Sequence, residues 1–397
     1  MNQEDFPMLE KDIVYFDNGA TTLKPKCVID KMNEYYYNHT SNIHRGDYDA
    51  AIQTNQEYDH VREIVGEFIN CDPNTVIFTS GATMSINLVV FGYMRSHLKK
   101  GDEVLLNKAE HASNILPWIR LAEEIGIVLK YVPLNDDYSL SLDNIKKNVT
   151  PNTKVISLAH VTNVIGDVRD IESIGRFCHE KHLLFHVDGA QSVPHMKVDF
   201  NNSYIDFLSF SGHKMCGPTG VGVLVGKKEY LEEMNPLCYG GGMNSFFEED
   251  NSYELKEVPT KFEAGTPPIA EVIGLGEAIT YLMKIGMDRI QKHEMMLKNY
   301  LLEQIKDISN IILYNKNSNS GILSFNIDGV FAQDTSIYLN HYHICVRAGN
   351  HCAKMLKDEM NIKNTVRVSM YFYNTKDDVD KLVSALKNSK DIFKIVV

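Results

Sequence analysis

The apolar positions of this chain form short runs that alternate with longer stretches in which apolar residues recur at helical spacing. The short runs predict buried strands, and they lie at 75–80, 102–106, 127–132, 154–159, 183–188, 206–211 and 221–226. The stretches at 82–98 and 114–126 predict helices between these strands. Such alternation is typical of an α/β domain whose largely parallel sheet is covered by helices on both faces.

The pattern changes after residues 262–268, "FEAGTPP". One long amphipathic pattern covers about 270–306 and predicts a helix, after which strands and helices alternate again. These strands are predicted at 321–327, 343–349 and 365–370, and the helices at 331–341 and 375–388. The second part of the chain therefore predicts a smaller α+β domain. Two polar stretches, 240–253 and 315–320, predict a mobile loop and a polar loop.

Composition narrows the class of protein. The chain has 397 residues, 44% of them hydrophobic, and a formal net charge of −12, which suits a globular protein of about two domains. We find no Lys/Arg cluster typical of a nucleic-acid surface, no apolar run long enough for a membrane span and no signal peptide. Seven cysteines without a CxxC pair argue against a disulfide framework or a zinc ribbon. We therefore expect a cytoplasmic protein without metal, nucleic-acid partner or membrane partner.

The stretch "SFSGHKMCGPTG" (209–220) places Lys214 in a turn directly after an apolar strand. The ordinary interpretation is a surface lysine before a turn. The alternative is a lysine that binds pyridoxal phosphate as a Schiff base, with the hydroxyl of Ser211 and the imidazole of His213 near the phosphate. The other strand ends decide between these interpretations.

Pyridoxal phosphate makes demands that other strand ends meet. A carboxylate must keep its pyridine nitrogen protonated, and Asp188 ends the strand in "FHVDGAQSV", with Gln191 one turn later. Its phosphate needs N–H groups at a helix start, which "TSGATMS" (79–85) supplies. His111 would cover the ring, and Asn163 follows another strand. Because ligands bind at the carboxyl edge of such sheets, these strand ends jointly favour the cofactor.

The stretch "VRAGNHCAKM" (346–355) contains Cys352. A lone cysteine is usually a small buried hydrophobe. A catalytic nucleophile becomes the better interpretation only beside a cofactor whose chemistry uses a thiol.

The chain resembles the fold-type I pyridoxal-phosphate enzymes of the class V aminotransferase group. Within that group it is similar to cysteine desulfurases, in particular to the branch with a short catalytic loop that passes sulfur to a separate acceptor protein. The motifs that carry the resemblance are "VYFDNGATTLKP", "NIHRGDY", "EHASNILPW", "HVTNVIG", "VDGAQ", "SGHKMCGPTG", "FEAGTP", "VRAGNHCAKML" and "VRVSMYFYNT". The resemblance implies a large domain over 16–282, with a mainly parallel seven-stranded sheet. It also implies a small α+β domain of 1–15 plus 283–397 that carries the cysteine loop.

The resemblance also implies a role for each matching residue near the cofactor. Lys214 binds the cofactor and moves protons, Asp188 pairs with the pyridinium, and His111 stacks on the ring. Gln191 and Asn163 lie near the ring oxygen or the carboxylate of the substrate. The phosphate is bound by Ala82, Thr83, Ser211, His213 and, from a partner subunit, Thr266.

On the substrate side, the resemblance implies that Arg367 binds the carboxylate, because an arginine fork matches this planar anion. Arg347 lies nearby and mainly anchors the loop. Cys352 accepts the sulfur. We expect charge on His351 and Lys354 to favour its thiolate, with two solvated loop side chains as the alternative.

The implied enzyme converts L-cysteine to L-alanine and transfers the sulfur to Cys352 as a persulfide. The sulfur then passes to an acceptor protein for iron–sulfur cluster assembly or other sulfur trafficking, and the enzyme is a homodimer. A selenocysteine lyase, and a related class V aminotransferase or C–S lyase, remain alternatives. A catalytically idle scaffold would have lost Lys214 or Cys352, and this chain keeps both. Asn350, Met84 and His343 depart from the residues usual in the family.

Overall fold

The computed structural model describes residues 3–44, 46–314, 316–389 and 392. The β-strands are β1 Val14–Tyr15, β2 Val76–Thr79, β3 Glu103–Asn107, β4 Val128–Val132, β5 Thr153–Ala159, β6 Leu184–Asp188, β7 Phe207–Ser211, β8 Gly222–Gly226, β9 Asn244–Phe247, β10 Tyr253–Leu255, β11 Ile311–Tyr314, β12 Ile322–Ile327, β13 Ile344–Cys345, β14 Arg347–Gly349 and β15 Thr365–Ser369. The α-helices are α1 Lys26–Asn38, α2 Asp49–Ile69, α3 Ala82–Asn87, α4 Arg95–His97, α5 Leu116–Ile125, α6 Leu142–Asn148, α7 Ile171–Glu180, α8 Lys228–Glu233, α9 Ile269–Ile285, α10 Met287–Ile305, α11 Ala332–His341, α12 Lys354–Glu359 and α13 Lys376–Lys387. A π-helical segment, Leu88–Met94, joins α3 to α4, and short 3₁₀ turns cover Gln3–Asp5, Pro7–Lys11, Pro73–Thr75, Ala112–Asn114, Gly212–Lys214 and Thr260–Phe262.

Seven strands form one sheet in the order β2-β8-β7-β6-β5-β3-β4. The strands from β7 to β4 pair in parallel, whereas β8 is antiparallel to both of its neighbours. β7 and β8 are buried along their whole length, and β5 almost so. Continuous apolar runs produce such strands, because both faces of the sheet are covered. The predicted α/β fold with a mainly parallel seven-stranded sheet is confirmed.

The strands of this sheet bring the residues predicted for the site to one edge. Five parallel strands end there, at Asn107, Val132, Ala159, Asp188 and Ser211. β2 also ends at this edge, because it runs antiparallel to β8 and therefore in the common direction. The turns after these ends carry the residues predicted for the cofactor, as expected for the carboxyl edge of an open α/β sheet.

A second sheet contains four antiparallel strands in the order β11-β12-β15-β14. The N-terminal β1 joins this side of the molecule, because it pairs in parallel with β13 and the N–H of Ser369 donates to the carbonyl of Phe16 at 2.8 Å. This pairing supports a small domain of 1–15 plus 283–397, whose limits stay a prediction. Residues 1, 2, 315, 390, 391 and 393–397 of that range lie outside the described residues.

The structure corrects the sequence-based prediction in three places. The predicted helix over about 270–306 is two helices, α9 and α10, separated at Gly286, whose φ of +94° is one that other residues rarely adopt. The predicted mobile loop at 240–253 contains β9 and leads into β10, and these two strands form an antiparallel hairpin. β11 was missing from the prediction.

Membrane-spanning helices and metal-binding groups were considered for the described ranges alone. None of the helices there combines the length and the apolar character that crossing a membrane requires. In the same ranges, no three His, Cys, Asp or Glu side chains are grouped to hold a metal ion.

Candidate active site

A cavity of about 220 Å³ opens at the carboxyl edge of the large sheet. All the residues predicted for the site except Thr266 line it: Ala82, Thr83, His111, Asn163, Asp188, Gln191, Ser211, His213, Lys214, Arg347, Cys352 and Arg367. The fold thus brings the turns of the large sheet and the loops of the small sheet to one place.

Lys214 and Asp188 both line the cavity, and the charge of each shifts the pKa of the other. Burial lowers the pKa of Lys214 to about 8, and the carboxylate of Asp188 opposes this shift. Burial raises the pKa of Asp188, whereas the N–H of Ala190, 2.9 Å from Oδ1, and the charge of Lys214 lower it. A lysine with a lowered pKa is a nucleophile near neutral pH and condenses with carbonyl groups. The pair therefore suits a lysine-bound cofactor with a carboxylate on its ring nitrogen.

The turn between β2 and α3 packs tightly against β8. A Cβ atom on Gly222 would lie 2.4 Å from the Cα atom of Gly81, so glycine is required at this contact. The N–H of Ala82 donates to Oγ of Ser211 at 2.8 Å, and Thr83 follows in the first turn of the helix. Hydroxyl and N–H groups at a helix start suit a phosphate, because the helix dipole favours an anion there.

Two histidines of the cavity are neutral at physiological pH. Burial, with the nearby charge of Lys214, lowers the pKa of His111 and that of His213 to about 4. The N–H of Ser113 donates to Nδ1 of His111 at 3.1 Å, so the proton of this ring is on Nε2. His111 therefore offers a neutral ring with an N–H donor.

Two arginines that line the cavity share one carboxylate. Nη2 of the buried Arg367 donates to Oδ1 of Asp17 at 3.1 Å, and Nε of Arg347 donates to Oδ2 of Asp17 at 3.1 Å. Nη1 of Arg367 also donates to the carbonyl of Asn163 at 2.9 Å. Sequence reasoning missed the role of Asp17, although it lies within "VYFDNGATTLKP", one of the motifs that carried the resemblance.

The loop that carries Cys352 is held against the cavity by two hydrogen bonds to its backbone. The N–H of Ala112 donates to the carbonyl of Cys352 at 2.8 Å, and Nδ2 of Asn163 donates to the carbonyl of His351 at 2.7 Å. His351 and Cys352 both have left-handed backbones, with φ of +53° and +56°. Residues other than glycine resist this conformation. These tertiary bonds therefore hold an exposed thiol in an unfavourable backbone.

The expectation that charge on His351 and Lys354 favours the thiolate is wrong for His351 and unsupported for Lys354. His351 is buried, and burial, with Arg367 and Lys357, lowers its pKa to about 2, so the ring is neutral. Lys354 is exposed and forms an ion pair with Asp358. Sequence could not show the burial of His351, since it depends on packing against β15.

Thr266 lies outside the cavity. It is exposed, and its Oγ1 accepts a hydrogen bond from Nδ2 of Asn42 at 3.2 Å. Its predicted contact with a phosphate requires a second subunit and stays a prediction.

A fully buried ion pair supports the wall of the cavity, and sequence reasoning missed it. Glu110 pairs with Arg169, and Oε2 of Glu110 accepts from the N–H of Ala159 at 2.6 Å and from Nδ2 of Asn114 at 2.8 Å. Glu110 directly precedes His111, so this pair fixes the turn of His111 to the end of β5. The one signal for this ion pair in the sequence was Glu110, the acidic residue directly before His111.

Four buried polar atoms at the cavity have no hydrogen-bond partner among the described residues: Oδ1 of Asn163, Oε1 of Gln191, Nε of Arg367 and Nδ1 of His351. Buried polar groups are normally paired, so unpaired ones at a cavity indicate where a ligand bonds. They include acceptors and donors, which fits the ring substituents of pyridoxal phosphate and the carboxylate of an amino acid.

Comparisons with known proteins show which family the chain belongs to. A family model described as aminotransferase class-V matches residues 14–382. A probable cysteine desulfurase of Halalkalibacterium halodurans is 41% identical over 394 residues, which cover 98% of this chain and 97% of that protein. A solved cysteine desulfurase from Thermococcus onnurineus aligns with a TM-score of 0.94 and 35% identity, over 97% of this chain and 96% of that one. A solved cysteine desulfurase from Escherichia coli gives 0.92 and 34%, over 98% of each chain.

Proposed function

The chain belongs to the aminotransferase class-V family and, within it, to the cysteine desulfurases, and from that premise we propose that it converts L-cysteine to L-alanine and takes the sulfur onto Cys352 as a persulfide. One observation carries this proposal: the cavity that contains Lys214 and Asp188 is also lined by an exposed cysteine. Sulfur transfer needs such a thiol, whereas transfer of an amino group does not.

Pyridoxal phosphate, when bound, supplies an electron sink for the Cα atom of the substrate. Lys214 would attach it, Asp188 would pair with its ring nitrogen, and His111 would cover its ring. Gln191 and Asn163 supply unpaired oxygen atoms at the ring and substrate side. The phosphate is assigned to Ala82, Thr83, Ser211, His213 and Thr266 of the partner subunit.

This chain's own residues account for the steps of the reaction. Arg367, held by Asp17, binds the carboxylate of L-cysteine, and Lys214 removes the Cα proton. The thiolate of Cys352 then attacks the sulfur of the substrate, so an S–S bond forms as the C–S bond breaks. The electron pair of the C–S bond stays on carbon, which takes up a proton to become the methyl group of alanine, and Lys214 returns a proton to Cα. One L-cysteine therefore gives one alanine and one persulfide.

The exposure of Cys352 supports a path for the sulfur after the persulfide has formed. Cys352 is exposed, so a separate acceptor protein can reach its persulfide, and we assign the sulfur to iron–sulfur cluster assembly or related trafficking. The enzyme is a homodimer in which each exposed Thr266 serves the other subunit. All seven cysteines are free, which supports a reducing cytoplasm.

The decisive experiment measures alanine and sulfide released from L-cysteine in the presence of a reductant. The expected result is equal amounts of both, lost in Cys352→Ala and kept in Cys238→Ala, which removes the other exposed cysteine. Pyruvate in place of alanine, or full activity in Cys352→Ala, would contradict the proposal. Turnover of L-selenocysteine without turnover of L-cysteine would make the protein a selenocysteine lyase instead.

A further inference from the structure

A serine without an assigned role lines the cavity. Ser113 lies in the 3₁₀ turn Ala112–Asn114 and lines the cavity together with Thr83 and His111. Its Oγ is 2.8 Å from Oγ1 of Thr83, and this pair of hydroxyl groups is exposed. Oγ1 of Thr83 makes no other hydrogen bond within the described part of the chain. The hydroxyl of Ser113 therefore lies directly beside a group that is assigned to the phosphate.

The backbone of Ser113 leaves its hydroxyl available for this pair. The N–H of Ser113 donates to Nδ1 of His111 at 3.1 Å, and Oγ of Ser113 is 3.1 Å from the same nitrogen. An N–H group only donates, and an imidazole nitrogen accepts through a single lone pair, so the N–H already uses the acceptor of His111. The hydroxyl of Ser113 therefore bonds with Thr83.

The hydroxyl groups of the cavity carry more hydrogens than their mutual bonds use. Ser113 and Thr83 have two hydroxyl hydrogens, and the bond between them needs one. The second is left for an acceptor in the cavity, whichever group donates to the other, because hydroxyl hydrogens rotate towards their partners. Oγ of Ser211 accepts from the N–H of Ala82 at 2.8 Å, so its own hydrogen is not used in that bond. Such a set suits a ligand that only accepts hydrogen bonds, as an ionised phosphate does.

We propose that Ser113 is a further binding residue for the phosphate of pyridoxal phosphate, to which its hydroxyl donates beside that of Thr83. Ala82, which directly precedes Thr83, has no hydroxyl, and Ser113 supplies one from the neighbouring 3₁₀ turn. Through its N–H the same residue keeps the ring proton of His111 on Nε2. The hydroxyl pair follows from the contacts alone, whereas the phosphate as its ligand rests on the proposed function.

The first test compares two probes that differ only in the phosphate. Apoprotein is titrated with pyridoxal phosphate and with pyridoxal, and the absorbance of the lysine-bound form gives both Kd values. Because both probes form the same bond with Lys214, the ratio of the two Kd values reports the contacts of the phosphate. Ser113→Ala should weaken binding of pyridoxal phosphate about tenfold or more, as expected for loss of a hydrogen bond to a charged group, and change the Kd of pyridoxal by less than about twofold.

Ser85→Ala is the matched control. Oγ of Ser85 pairs with Oγ1 of Thr79 at the same distance of 2.8 Å, but neither is among the described residues that line the cavity. Its replacement should leave both Kd values unchanged. Ser113→Thr keeps a hydroxyl and should keep the wild-type ratio. Equal weakening of both probes in Ser113→Ala, or an unchanged Kd for pyridoxal phosphate, would overturn the proposal.

The second test separates a direct contact from mere support of Thr83. Ser113→Ala is combined with Thr83→Val, and both Kd values are measured again. A direct contact predicts that Ser113→Ala still weakens binding of pyridoxal phosphate several-fold in the Thr83→Val background, and an effect that disappears there would overturn the contact. Wild-type protein that shows the expected Kd ratio but releases no alanine from L-cysteine would contradict the proposed function alone.

Discussion

Lys214 and Cys352 line the same cavity, but the fold holds them in different ways. Lys214 lies in the turn that directly follows β7, a buried strand in the middle of the large sheet. Cys352 lies on a loop with a left-handed backbone, tethered by the N–H of Ala112 and the side chain of Asn163. Regular secondary structure fixes the first position, whereas a few tertiary bonds fix the second.

This difference matches what the proposed function requires of each group. The cofactor lysine acts at one place, so a rigid sheet edge serves it well. Under that proposal, the thiol meets a substrate inside the cavity and then an acceptor outside it. A loop under backbone strain, held by individually modest hydrogen bonds, can leave its position at little energetic cost. Mutations on the two sides should therefore have different signatures.

The largest effect is expected on the rigid side. Under the proposed function, Lys214→Ala removes both the covalent attachment of the cofactor and the group that moves the Cα proton. Turnover of L-cysteine should fall by roughly 10³-fold or more, with loss of the absorbance of the lysine-bound cofactor. Cys352→Ala is the control, because it should lose sulfur transfer and keep that absorbance. Covalently bound cofactor in Lys214→Ala would disprove the assignment.

A second effect concerns Lys214 at the large sheet and Lys357 near the Cys352 loop. Lys214 has the carboxylate of Asp188 to oppose burial, whereas Lys357 beneath the loop has a hydroxyl. Since the pKa of Lys357 is lowered to about 7 in the fold, the unfolded chain binds more protons between about pH 7 and pH 10.5. Its contribution therefore raises the wild-type free energy of unfolding with pH in this window, by up to about 1.4 kcal/mol per pH unit.

Lys357→Met should remove that contribution. We expect urea denaturation to give Lys357→Met a higher free energy of unfolding than wild type. This difference should be larger at pH 6.5 than at pH 9, by a few kcal/mol. Lys298→Met should follow the same trend with a later onset, because the pKa of Lys298 is about 8. An advantage that grows with pH would contradict the burial of a charged Lys357.

A third, smaller effect tests the tether of the loop. Asn163→Asp replaces the donor to the carbonyl of His351 with a group that repels it. Alkylation of Cys352 by iodoacetamide in the apoprotein should become roughly tenfold faster, as expected for loss of about one hydrogen bond. The exposed Cys238 is the internal reference and should react at its wild-type rate. An unchanged rate at Cys352 would mean that the loop does not depend on this bond.

The smallest effect is expected at Lys354. Its ion pair with Asp358 is exposed, and such pairs contribute between zero and about 1 kcal/mol. Lys354→Met should change the alkylation rate of Cys352 and the turnover of L-cysteine by less than about twofold. A tenfold loss in either would restore the expectation that this charge favours the thiolate.

Sequence predicted the rigid side better than the loop side. Strand ends are visible as apolar runs that stop at Asp188 or Ser211, so the large sheet and its cofactor edge were predicted well. The break at Gly286 was missed because the helical spacing of apolar residues continues on both sides of it. The positive φ of Gly286 cannot be read from that spacing. The hairpin of β9 and β10 was missed because its side chains are mostly exposed and show no alternation.

The loop side depends on contacts between distant residues. The burial of His351 depends on Thr365, and the arginine pair depends on Asp17, which lies 350 residues from Arg367 in the sequence. A local pattern contains no information about either contact. The motifs still identified the arginines and the thiol, because the resemblance reports residue identity and not the contacts that fix a residue in place.

The pairing of β1 with β13, which comes much later in the sequence, sets an order of assembly during synthesis. The ribosome delivers the strands of the large sheet first, and N-terminal parts of a chain generally fold first. Asp17 can pair with Arg347 and Arg367, and β1 with β13, only after these later parts of the chain have been synthesised. A nascent chain can complete the cofactor edge long before its substrate end exists. Under the proposed function, a nascent chain that has not yet reached Arg367 therefore mobilises no sulfur.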